Sequence, residues 1–192
     1  MSAVKDEIKQ HLSSLIGLPL SIARRTADLF VLQFGTIREV EGGIKVGKRV
    51  GEKGSVGDFA LHIQCPWRLE GTDGIITGRG DLYRSPLTGE YFDDVLDDNT
   101  FYKQGKNLQD KKIGELLQGV DPITGSYMNT TKLLIVETVD ADNFGGATIC
   151  LSGGYRLVLF PYSSLGDEDW RLLQPRTSEK HVVVSGSHIE FE

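Results

Sequence analysis

The sequence predicts an α+β fold: an N-terminal helix followed by a mostly antiparallel sheet, curled on itself or folded into a sandwich, with one short additional helix. Three observations carry this expectation. Apolar residues recur at helical spacing only near the N-terminus and over Leu108–Leu117. Short apolar or alternating runs, separated by Gly and Pro, fill most of the remainder. No low-complexity linker divides the 192 residues, so a single domain over 1–192 is expected.

Val4, Ile8, Leu12, Leu15 and Ile16 give the first helix its apolar stripe, and Gly17 and Pro19 end it. Leu29 to Phe34 is a strand-length apolar run, read as buried on both faces. The six glycines between Gly42 and Gly57 leave little to bury, so this stretch reads as a hairpin or loop. Phe59, Leu61, Ile63 and Cys65 then alternate with Ala60, His62 and Gln64, a strand with one apolar face. Pro66 interrupts it, and Trp67-Arg68-Leu69 is expected to start an edge segment running through Asp73-Gly74 into Ile75 and Ile76. Residues 79–107 show no clear period; the short helix that follows has Asn107 as its cap.

The last third reads as a meander. Leu133 to Val139 is one strand, residues 142–146 a turn, and Ala147 to Leu151 the next strand. Gly153-Gly154 forms a two-residue hairpin into Tyr155 to Phe160, since a primed turn needs positive φ at both centres. Asp167-Glu168-Asp169, before Trp170, reads as a helix's first turn, where acids serve as caps. A final hairpin joins His181–Val184 to Ser187–Phe191. Two echoes, Ser85-Pro86-Leu87-Thr88-Gly89 and Asp121-Pro122-Ile123-Thr124-Gly125, read as one kind of turn used twice.

Composition narrows function by exclusion. A net charge of −6 with no Lys/Arg run disfavours nucleic acid as a partner, and no apolar stretch reaches the ~18 residues of a membrane span. The polar N-terminus is no secretory signal, and the two cysteines fit reduced thiols, so a cytoplasmic protein is expected. The glycine-rich stretch lacks a phosphate-loop motif, and no nucleophile elbow or calcium loop occurs. On a strand, the odd spacing of His62 and Cys65 places them on opposite faces, which leaves Cys65 an inert buried thiol. The four histidines offer no metal site, and no cofactor is implied.

What remains is a concentration of aromatics and acids in residues 79–107. Tyr83, Tyr91, Phe92 and Tyr102 with Asp93, Asp94, Asp97 and Asp98 suit a recognition surface: rings bury area at low entropic cost while carboxylates select a basic protein partner. The reading is a non-enzymatic binding protein. The alternative is a small-molecule binder or an enzyme whose pocket is lined by Arg68, Arg79, Asp81 and Arg84, since arginine forks suit carboxylate or phosphate.

The run from Phe59 to Leu69, with Leu157–Pro161, Asp169-Trp170-Arg171-Leu172 and His181–Val184, resembles a class of small bacterial proteins with paired W-R-L sheet elements, some of them similar to immunity proteins of toxin systems. The resemblance implies sheet-forming positions and an immunity role; the net charge and the acidic, aromatic segment then suggest an acidic surface that covers a basic toxin. It implies no catalytic residue.

Overall fold

The computed structural model describes residues 4–41, 53–92 and 100–192. It is α+β, with an N-terminal helix and antiparallel sheets. In chain order the elements are α1 (Val4–Leu12), β1 (Leu20–Thr26), β2 (Leu29–Phe34), β3 (Arg38–Glu41), β4 (Lys53–Val56), β5 (Phe59–Ile63), β6 (Trp67–Gly71) and β7 (Gly74–Gly78). Then follow α2 (Leu108–Leu117), β8 (Gln118–Val120), β9 (Tyr127–Asn129), β10 (Val136–Ala141), β11 (Ala147–Leu151), β12 (Tyr155–Leu159), β13 (Trp170–Leu173), β14 (Val182–Ser185) and β15 (His188–Phe191).

Eight strands form one sheet in the order β15-β14-β13-β5-β2-β1-β9-β8, five form a second in the order β10-β11-β12-β6-β7, and β3-β4 is a separate hairpin. The strands are divided between two sheets, and the eight-stranded one is not clearly curled on itself, as one of the expected alternatives had it. Alternate residues of both sheets enter one apolar core: Phe30, Leu32, Leu61 and Trp170 from the larger, Trp67, Leu69, Ile149 and Leu157 from the smaller. The Phe30 and Trp67 rings stack across it at 4.2 Å.

Each helix plugs one side of this stack. α1 packs on β10 and β15, an edge strand of each sheet, and sends Ile8 and Leu12 fully inside. α2 packs on β7 and on β8 and β9 at the opposite edges. Its cap is as expected: Asn107 Oδ1 accepts from Asp110 N at 2.7 Å.

Several sequence expectations need correction. The segment that begins at Trp67 is no edge: β6 lies between β12 and β7, and Pro66 is tolerated because it precedes the ladder and only its carbonyl is used, accepting from Phe160 N at 3.0 Å. Trp170 opens a strand, and the acids before it start no helix. The Asp169 carbonyl takes the amides of Gln64 and Cys65 while its own amide donates to Val184, which ties β13 between β5 and β14. Strand β10 starts only at Val136, because the fully buried Leu134 has φ +69° and cannot lie in a ladder. The Gly153-Gly154 hairpin matches its reading, with φ of +83° and +79°. Both echo turns close alike, Gly89 N on Ser85 O at 3.0 Å and Gly125 N on Asp121 O at 2.8 Å.

Candidate functional site

The outer face of the eight-stranded sheet carries a row of cross-strand neighbours, Arg24 on β1, Val31 on β2, His62 on β5 and Arg171 on β13. The register puts these outward because Ala23, Leu32, Leu61 and Leu172 take the inward positions. Above the Arg24 end of the row a polar cleft of ≈ 180 Å³ opens.

Its walls follow from the fold. Strand β9 pairs with β1 only at Ile22 and Ala23, so the Arg24–Thr26 end of β1 has no neighbour on that side. The chain leaves there into the Asp121–Gly125 turn, which brings Thr124 and Ser126 to the rim. The β3-β4 hairpin forms the opposite wall. Gln33, facing outward from β2, accepts from Gly57 N at 2.5 Å and holds β4 against the sheet. Only glycine fits at 57, since a Cβ there would sit 2.6 Å from the Phe34 carbonyl.

The cleft is basic and incompletely satisfied. Among the described residues Arg24 makes neither a hydrogen bond nor an ion pair; burial lowers its pKa from the ordinary value and Asp121 pulls the other way. Arg25 points to the other face and is spoken for by Asp110 at 2.8 Å, and Lys53 pairs with Glu39. Asp121 faces Arg24 but is engaged by its own turn: burial alone would raise it, yet bonds from the Thr124 hydroxyl and the Ile123 and Thr124 amides hold it low. Ser55 is only 2% exposed and its Oγ, which lies toward Asp121, completes no hydrogen bond within ordinary geometry. The His62 Nε2 atom is buried without a partner. Burial and the neighbouring Arg24 and Arg171 push this imidazole down to about 4, so it is neutral at physiological pH. Farther along the row Arg171 is neutralised by Glu168 and Glu192. Among the described residues, one guanidinium without a hydrogen bond or ion pair and the rim hydroxyls therefore face a cleft large enough for a few heavy atoms, with two unmet polar atoms buried behind its wall, an arrangement suited to a small oxyanion.

The residues predicted from sequence lie elsewhere. Arg68 pairs with Glu70 at 2.6 Å, Arg79 with Asp28 at 2.8 Å, Asp81 accepts from the Thr77 hydroxyl at 2.9 Å, and Arg84 donates to the Gly89 carbonyl at 2.8 Å. Asp81 and Arg84 also come within 3.9 Å of each other, while Arg68 and Arg79 are each met by a carboxylate outside the four. Tyr83, Phe92 and Tyr102 gather round Phe101 at 4.3–5.9 Å, and Tyr91 lies under the Arg84 guanidinium at 3.9 Å. Asp93, Asp94, Asp97 and Asp98 lie outside the described residues. Cys65 is buried on the face opposite His62, and burial pushes its thiol up to about 12. Sequence reasoning missed Arg24, Lys53 and Ser55. Its one available signal was Arg24-Arg25-Thr26, a polar run between two apolar ones at strand spacing.

Among the described residues no helix is long and apolar enough to cross a membrane. No known protein family, curated protein or solved structure matches the chain.

Proposed function

We propose that this chain binds a small molecule through a carboxylate or similar oxyanion, seated on Arg24 in the outer-face cleft. The carrying observation is the partly buried Arg24 guanidinium, without an ion pair or hydrogen bond among the described residues, in a cleft where Arg25 and Lys53 are already paired. A desolvated guanidinium is costly unless something meets it, and its planar fork matches a carboxylate. The location differs from the arginine cluster at 68–84, but the ligand chemistry is the same.

Formate is the simplest probe. Three heavy atoms bring at most about 4.5 kcal/mol, so a dissociation constant of about 1 mM or weaker is expected, within reach of NMR titration. Amide signals of Arg24, Ser55 and His62 should shift saturably, and Arg24→Gln should weaken binding at least about tenfold by removing a charge-assisted bond. Shifts that are unsaturable, or equal in Arg24→Gln, refute the assignment.

A second reading is recognition of a basic protein, such as a toxin countered by an immunity protein. Its support is the exposure of Tyr91 and Tyr83 beside the acidic stretch of sequence.

A further inference from the structure

We infer that the cleft admits a dianionic oxyanion head, of the phosphate or sulfate class, by taking up a proton on His62 as the ligand binds. The inference rests on the proposed anion site and specifies its ligand class. His62 occupies the middle of the outer-face row, one strand beyond Val31 from Arg24, and lines the same cleft. Its Nε2 is buried behind the cleft wall with no hydrogen-bond partner among the described residues. Such an atom costs free energy in the empty site and gains most from a ligand that can accept a proton-bearing bond.

The groups around His62 decide what its protonation would answer to. From β1 comes Arg24; from β13 and from two residues before its start come Arg171 and Glu168; from just before β14 comes His181. Arg171 is bound to Glu168 at 2.7 Å and to Glu192 at 3.2 Å, and it touches His181 Nδ1 at 3.2 Å. Lys53, across the cleft, is paired with Glu39, and Asp121 faces Arg24 from its own turn. Arg24, already offset in part by Asp121, therefore meets at most one negative charge of a ligand. A second negative charge has no cation to meet it unless the imidazole becomes one. Free of ligand, His62 is held neutral by burial and by Arg24; a dianion reverses both influences, because it offsets the guanidinium and gives the N–H an acceptor. Binding of a monoanion calls for no such proton.

Sulfate tests this, since its own charge is constant between pH 5 and 7. Wild-type protein should bind sulfate about tenfold more tightly at pH 5 than at pH 7, with the His62 imidazole signals titrating well above about 4 in saturating sulfate. His62→Gln should bind sulfate with no such slope, while the NMR titration of His62 in the wild-type protein is independent of any folding defect in the variant. Formate binding without a pH-dependent sulfate response overturns the inference and leaves the anion site standing. Binding of neither probe overturns both.

Discussion

Asp110→Ala is expected to destabilise the protein by about 3–5 kcal/mol, because it strips the partner from an almost fully buried guanidinium. The Arg25 and Asp110 side chains are 4% and 6% exposed, 2.8 Å apart. Arg25 also donates to the carbonyls of Ala27 and Tyr102, at 2.8 and 3.1 Å, while its Nε finds no partner. Asp110 gathers more than the ion pair: its Oδ2 accepts from Gly105 N at 2.8 Å and from Asn107 Nδ2 at 3.0 Å. This one carboxylate thus ties the start of α2, the loop before it and the inward face of β1 together. Urea denaturation measures the loss. Because replacing both partners by apolar groups removes the uncompensated charge, Arg25→Met with Asp110→Leu should recover much of the stability. A single-mutant loss below about 1 kcal/mol would show that the pair is not buried as described.

Trp170→Ala should cost a similar amount, about 3–5 kcal/mol, and lower the melting temperature by roughly 6–20 °C. Trp170 is 1% exposed, sits between Ile63 and Val184 in the middle of the eight-stranded sheet, and its Nε1 donates to the Gly145 carbonyl at 2.8 Å. Gly145 belongs to the turn between β10 and β11, so the indole pins the smaller sheet's first hairpin to the larger sheet. The approach is close: at φ +84°, a Cβ on Gly145 would meet the Gly186 carbonyl at 2.3 Å. Trp170→Phe keeps most of the ring volume and strands that carbonyl, so it should cost about 1–3 kcal/mol. Equal losses in the two variants would mean that the hydrogen bond, not packing, dominates.

The elements legible in the sequence are those whose signals are local. Strand β2 spans the residues expected of it, α2 carries its Asn107 cap, and the paired glycines 153 and 154 set their hairpin. Elements that depend on distant partners were not legible. Strand β1 hides because a register shift near Ser21 and the inward-pointing Arg25 break its alternation, and the carboxylate that neutralises Arg25 is Asp110, 85 positions away. Strand β13 is four residues long behind three acids, and local chemistry alone makes those look like a helix start. The candidate site shares this difficulty. Arg24, Ser55, His62 and Thr124 come from four separate segments, and only non-local strand pairing and a turn beyond β8 bring them to one cleft.

The central claim is that Arg24 awaits an anion. A crystal structure of the protein grown with formate tests it most directly. The account predicts density for a planar anion within hydrogen-bonding distance of the Arg24 guanidinium, on the outer face beside Ser55 and His62. A structure in which Arg24 instead closes an ion pair with Asp121, with only water in the cleft, would contradict it.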